Sequence, residues 1–267
     1  MTSFIGVLAE IWKNRHRMLR VVWFDIKIEN RSLYLGTLWK VLTPFLQIAT
    51  FWLVFGLGIR GGAPVDGFPF FIWLLAGITP WFFISRAIST GSLSINAKAG
   101  TIFKIKYPIS TVPVGAVIHS LYDHLILIVI LAAVLMINGI MPDLHWFNLL
   151  YYISYSVVML VAVTMVLSVI VRLAPDFSRL IPPVLQMIFF LTPILWQETY
   201  MPSWVLTILS ASPVRYIVMG FRGSLLYGAN FFDFPSRIAF FWSTTLVLLV
   251  FGCWLQKKFA HRFVDWM

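Results

Sequence analysis

Long uncharged apolar runs alternate along the chain with short, strongly charged intervals, and the runs have the length of membrane-crossing helices. A hydrocarbon core of ~30 Å needs about 20 apolar residues of helix. Residues 41–59 carry no charge and close at Arg60, while 70–95 hold one charge, Arg86. Residues 113–137 are apolar apart from His119, Asp123 and His124, and 149–171 are uncharged up to Arg172. A shorter run at 180–196 contains Pro182, Pro183 and Pro193, and the last, 238–255, ends at Lys257 and Lys258. The pattern predicts an all-α integral membrane protein with six transmembrane helices in a single domain.

The intervals are patterned too. In residues 1–40, Phe4, Leu8 and Ile11, with Ile5 and Trp12 beside them, recur at helical spacing ahead of a cationic run at 13–20. That combination predicts an amphipathic interfacial helix in the headgroup plane. The basic residues follow the first apolar ones, the reverse of a cleavable secretory signal. Residues 197–237 are too polar and broken for a span, punctuated by Pro202, Pro213, Pro235, Gly220, Gly223 and Gly228, yet they include Trp204, Val205, Leu206, Ile208 and Leu209. They predict short re-entrant helices before the last span. Irregular backbone at membrane depth survives only where protein or a water-filled cavity covers it, so this region marks the mouth of a pathway. Residues 256–267 form a tail.

Composition sharpens the class. Hydrophobic residues are 60% of the chain, charged residues 11%, and mean hydropathy is +0.88; soluble domains are nearer half apolar and a quarter charged. The net charge of +10 is mostly topology. With both termini cytoplasmic, fifteen of the 20 lysines and arginines fall inside, Arg60, Arg215, Arg222 and Arg237 fall outside, and Arg86 lies within a span. That asymmetry follows the positive-inside rule and leaves nucleic-acid binding disfavoured. Cys253 is the sole cysteine, so no intrachain disulfide forms.

Candidate chemistry is sparse. No GxxxxGK[ST] loop for nucleotide phosphates occurs, nor HExxH, CxxC or GxSxG. His119 and Asp123 stand one helical turn apart on one face, with His124 adjacent. Ionisable groups inside spans are costly and face the bundle interior or water, which makes Asp123 with Arg86 the natural charge pair. A metal site wants three or four ligands of suitable type and geometry, and this trio is the only set in view, so a structural network or polar lining of a pathway is expected rather than a metal or catalytic site. Aromatics are 17% of residues. Phe51, Trp52, Phe55, Trp81, Phe82, Phe83, Phe189, Phe190 and Trp196 lie within the runs, where aromatic faces let sugar rings slide without tight binding. Arg60, Arg215 and Arg222 near the outer mouth are placed to attract phosphates or to pair with anionic lipid headgroups.

The run Leu35-Gly36-Thr37-Leu38-Trp39, followed by Pro44, resembles the approach to the first span of polysaccharide-exporting ABC transporter permeases of the ABC-2 type. The segments at 54–60, 64–67, 73–77 and 80–85 continue the likeness, which is nearest to the wall teichoic acid exporter permeases of Gram-positive bacteria. Lys104-Ile105-Lys106-Tyr107-Pro108 matches the family's basic, proline-ended loop, and Phe263-Val264-Asp265 fits its ending. The stretch 171–177 departs from the expected pattern, since Leu173-Ala174-Pro175 separates Arg172 from Asp176-Phe177.

The resemblance implies a multi-pass protein of the cytoplasmic membrane, working as a homodimer with two copies of an ABC ATPase. That partner chain would bind the ATP and magnesium, and the pair would move a lipid-linked polymer. It implies that Phe103, Lys104, Lys106 and Tyr107 dock the ATPase, and that the first and fifth spans line the conduit. Export of O-antigen or capsular polysaccharide uses the same architecture and is the nearest alternative substrate. Two other classes remain from the residues alone: a membrane enzyme acting on lipid-linked sugar through the His119 and Asp123 cluster, and a structural membrane protein.

Overall fold

The computed structural model describes residues 2–32, 34–100, 107–233 and 235–265, with the backbone alone for 2, 3, 32, 200 and 260–265. Helices α1 (Thr2–Lys13) and α2 (Arg15–Ser32) are joined almost without a break, since Asn14 and Met18 continue the helical hydrogen bonding. A short 3₁₀ turn at Gly36–Leu38 then leads into α3 (Trp39–Phe51), which widens to a π-helix over Trp52–Ile59. Gly36 has φ +49°, and a Cβ there would meet the carbonyl of Asn30 at 3.1 Å, so the turn between interfacial helix and first span requires glycine.

Four further long helices follow in part: α4 (Phe70–Ala97), α5 (Thr111–Ile137), α6 (Asn148–Leu173) and, last in the chain, α10 (Pro235–Asp265). Among the described residues five stretches are long and apolar enough to cross a membrane: Gly36–Ile59, Phe70–Ala97, Thr111–Ile137, Leu144–Leu173 and Pro235–Phe259. The run at 180–196 behaves differently. Its helix α7 covers only Ile181–Leu191, about 17 Å of rise, because Pro182 and Pro183 open it and Thr192-Pro193 turns the backbone extended. Beyond it, α8 (Ser203–Ser210) and α9 (Pro213–Arg222), the latter continued by a π-helical turn to Tyr227, meet at 95°. This bent pair brings the count of candidate spans to six if it is taken as one, and it has the broken form of a re-entrant element.

Burial separates the helices by role. In α4, 72% of the apolar stretch is buried, against 11% for the first span. The central helix of the bundle is therefore α4, while the α3 stretch lies at the margin. Two apolar clusters stack along the bundle. One gathers Val7 and Met18 from α1–α2, Ile95, Val112, Met165 and Val169, with Leu249 and Cys253 of α10. Both chain ends thus lie on one face, called here the terminal face. The larger cluster, from Val65 and Phe70 through Ile84, Tyr155, Leu185, Ile217 and Phe221, fills the other end.

At that far end α9 is fastened by close approaches on two sides. A Cβ on Gly220 would strike the ring of Tyr152 on α6, and one on Gly77 of α4 would strike the Arg222 guanidinium. Gly220→Ala is therefore expected to lower the thermal unfolding midpoint in detergent by several degrees, since overpacking costs about 1–3 kcal/mol. Gly6→Ala on α1, where a Cβ meets nothing within 4 Å, should leave the midpoint unchanged or raise it.

Candidate functional site

Alone in an apolar wall, Asp123 would be a severe liability. It stands on α5 with its side chain 9% exposed, and two cations reach it from other helices. Lys40 Nζ of α3, itself 6% exposed, lies 2.7 Å from Oδ1. Arg86 Nε of α4 lies 2.8 Å from Oδ2. Glu29 closes the group from α2: its carboxylate is 2.8 Å from Arg86 Nη2, 3.4 Å from Lys40 Nζ and 2.9 Å from His119 Nε2. Burial pushes the Glu29 carboxyl up, but Arg86, Lys40 and His119 outweigh it and hold it below the usual carboxylate range. Two carboxylates thus face two permanent cations, with His119 bridging back to α2. Four helices meet in one ionic knot.

Glu29, His119 and Asp123 bring ligand atoms within 4.8 Å of one another. Lys40 and Arg86 already neutralise both carboxylates, so a divalent ion would be added to a charge-balanced set. The same pairing favours the ionised form of both carboxylates. His124 leaves the group: it is 2% exposed, stacks on Phe83 with centroids 4.7 Å apart and lies 5.7 Å from Phe221. Neither of its ring nitrogens has a hydrogen-bond partner, and it borders a cavity of about 360 Å³ that the knot also lines.

From Lys40, a stripe along α3 runs at helical spacing through Thr43 and Gln47 to Phe51. Phe51, Trp81, Phe189 and Phe190 line one cavity of about 270 Å³, with Phe51 and Trp81 both packed on Phe189 at 5.2 and 5.3 Å. Of the other aromatics named above, Phe55 stacks next to Phe51 at 6.3 Å. Trp196 donates to the Phe190 carbonyl at 2.9 Å. Trp52 turns to a separate apolar cavity with Phe45, Gly56 and Phe70, because it lies one residue off the stripe. The knot's cavity and the aromatic cavity share Gln47, Phe82 and Ser85 as lining, so they are neighbours along one wall.

The three far-face arginines are engaged rather than free. Arg215 makes a bidentate pair with Glu198 at 2.5 and 2.6 Å. Arg60 Nη1 donates to Gln197, whose amide donates to Asp66, which also accepts from the Tyr227 hydroxyl. Arg222 is 1% exposed, which corrects the reading of it as a cation open to phosphates or headgroups. The physical reason is the turn after α7, where Pro193 and Ile194 lie outside the helix and their buried carbonyls need donors from elsewhere. Arg222 donates to the carbonyls of Pro193 (2.5 Å), Ile194 (2.7 Å) and Trp73 (3.2 Å), and lies 3.3 Å from the Trp73 ring centroid.

Phe103, Lys104 and Lys106 lie outside the described residues. Tyr107 is buried at the terminal face with Arg17 over its ring at 5.9 Å, and burial raises its hydroxyl above the ordinary range. Before the loop, Lys98 pairs with Asp25 of α2 at 2.5 Å. Both flanks of 99–106 are thereby tied to the interfacial helix. Sequence reasoning missed Asp25, Glu29 and Lys40 as site residues. Asp25 and Glu29, spaced i and i+4 on a cationic helix, were the available signal.

A short proline-flanked helix, a bent helix pair and a charged knot inside an all-helical bundle with long apolar helices fit an integral membrane protein. Residues 18–226 match the family described as ABC-2 type transporter, and the chain belongs to that family. It is 25% identical over 245 residues to the O-antigen export system permease protein RfbA of Klebsiella pneumoniae, covering 90% of this chain and 91% of that one. Against RfbA of Myxococcus xanthus it is 25% identical over 198 residues, 72% of each chain. The polysialic acid transport protein KpsM of Escherichia coli is 24% identical over 206 residues, 76% of this chain and 79% of that one.

The knot makes a testable demand on stability. Asp123→Leu leaves two cations facing the single carboxylate of Glu29 and should destabilise by about 3–5 kcal/mol, whereas adding Lys40→Met should recover a substantial part of the loss. Thermal or denaturant unfolding of the single and double variants measures this, and additive losses would show that the two side chains are not coupled.

Proposed function

We propose that this chain is the permease subunit of an ABC exporter that carries a lipid-linked polysaccharide across the cytoplasmic membrane, with ATP hydrolysed on a separate chain. The observation that carries this reading is the likeness along nine tenths of the chain to an O-antigen export permease, in a sequence without a phosphate-binding loop. The relatives' names favour O-antigen or capsule-type polymer over the teichoic acid precursor that the sequence motifs suggested. In this reading the terminal face is cytoplasmic, as its lysines and arginines favour. Two permease copies assemble with two ATPase subunits, and the little-buried first span and α7 turn toward the conduit between them.

Force from the ATPase would enter through residues 103–107, where Lys98 and Tyr107 pass it to α2. From there Glu29 hands it to α3, α4 and α5 together. The aromatic wall at Phe51, Trp81, Phe189 and Phe190 supplies sliding contacts for sugar rings, while α8 and α9 close the far end. A membrane enzyme fits less well, because both carboxylates of the only intramembrane cluster among the described residues are consumed by Lys40 and Arg86.

Reconstitution of the chain with its ATPase in proteoliposomes tests the proposal. ATP-dependent movement of lipid-linked O-antigen precursor should exceed that of teichoic precursor, and vesicles with the permease alone should be inert. Movement of neither polymer, in a complex that still hydrolyses ATP, would overturn the substrate class. Failure to bind an ATPase would overturn the exporter reading.

A further inference from the structure

Two side chains on the aromatic wall do not belong in a lipid-facing surface. Gln47 on α3 and Gln186 on α7 lie in strongly apolar stretches, both are exposed, and neither amide bonds to another described residue. Polar side chains left without partners in hydrocarbon are expensive, and within spans they face water or protein. Both line the same cavity of about 270 Å³ as Phe51, Trp81, Phe82, Ser85, Phe189 and Phe190. Its volume falls below the ~300–1,000 Å³ of pockets for drug-sized ligands, a scale that suits a single ring.

The lining has a definite chemical character. Each glutamine offers a carbonyl acceptor and an amide with two donors, a match for hydroxyl groups that both give and accept. Phe51, Trp81, Phe189 and Phe190 add aromatic rings to the same lining, and the negative potential of a π-face attracts polarised C–H bonds. No charged residue lines the cavity, so a phosphate or carboxylate finds no counter-ion there. The nearest cations, Lys40 and Arg86, belong to the adjoining cavity and are already paired.

We infer that Gln47 and Gln186, which share one cavity wall with Phe51, Trp81, Phe189 and Phe190, form a subsite for an uncharged, hydroxyl-bearing sugar ring of the exported polymer. The inference deepens the export reading and rests on it. The two amides hold a ring in register by its hydroxyls, and the aromatic faces keep the contact loose enough for the next ring to replace it. Neutral units of a polymer dwell here, while its anionic groups pass without a partner.

The test places a cysteine at Gln47 or Gln186 in a Cys253→Ala chain, assembled with its ATPase in liposomes and exposed to a small cationic methanethiosulfonate. Cys253 is fully buried and outside the wall. Modification at both positions should be about tenfold or more faster than at Val247→Cys, since thiolate forms only where water reaches; Val247 is 71% exposed on the apolar surface of α10. Lipid-linked polysaccharide should slow it several-fold. Rates no faster than at Val247, or fast rates that polysaccharide does not slow, overturn the subsite.

Gln47→Leu with Gln186→Leu should raise the KM for polymer several-fold with kcat nearly unchanged, the mark of lost binding along the path. An unchanged KM also overturns it. Wild-type transport in the same vesicles reports the export reading separately, so each idea fails by its own result.

Discussion

Burying Asp123 between membrane helices is the constraint on which the arrangement of the terminal half depends. A lone carboxylate there would empty the bundle of stability, so α3 and α4 must each deliver a cation to it, and their relative rotation is thereby fixed. Lys40 sits at the very start of the first span, directly after the Gly36 turn, and so the path of the chain from α2 into α3 is set by the same bond. Glu29 then occupies what remains of the two cations' charge, which fixes α2 against the bundle rather than leaving it to float on the headgroups. The interfacial helix becomes part of the wall.

The far half solves a related problem with one side chain. The turn that follows the end of α7 at Leu191 carries the carbonyls of Pro193 and Ile194, and Arg222 donates to both as well as to that of Trp73. Because Arg222 is carried by α9, the donor to the turn after α7 is also the fastening of the bent pair. Gly77 of α4 makes room for its guanidinium, and Gly220 makes room for the Tyr152 ring of α6. Broken helices are tolerated here because their loose ends are tied to each other.

Much of this was legible from residue order. Apolar runs of about 20 residues announce spans whatever their packing, and a lone Arg86 and Asp123 in two such runs invite pairing, which is what the bundle shows. Glu29 and Lys40 were hidden for a physical reason: on a strongly cationic segment, a single acid or base reads as headgroup electrostatics until a partner helix is placed beside it. Arg222 was misread as an open cation because its partners are backbone carbonyls, which a sequence does not display. Residues 180–196 have the composition of a span, but Pro182, Pro183 and Pro193 leave room for only an 11-residue helix. Among the aromatics, composition could not separate Phe51 from Trp52, since one residue of helical rotation sends them to different cavities.

Glu29 locks α2 to α3, α4 and α5 through Lys40, Arg86 and His119, so that movement of α2 at the terminal face is transmitted to those helices. Hydrogen–deuterium exchange of membrane-embedded protein, wild type against Glu29→Ala, measures that lock amide by amide. The account predicts exchange about tenfold or more faster over residues 24–31 in the variant, with α1 little changed because its apolar contacts with α10 remain. Equal exchange in the two proteins would contradict it, leaving α2 held by its apolar face alone.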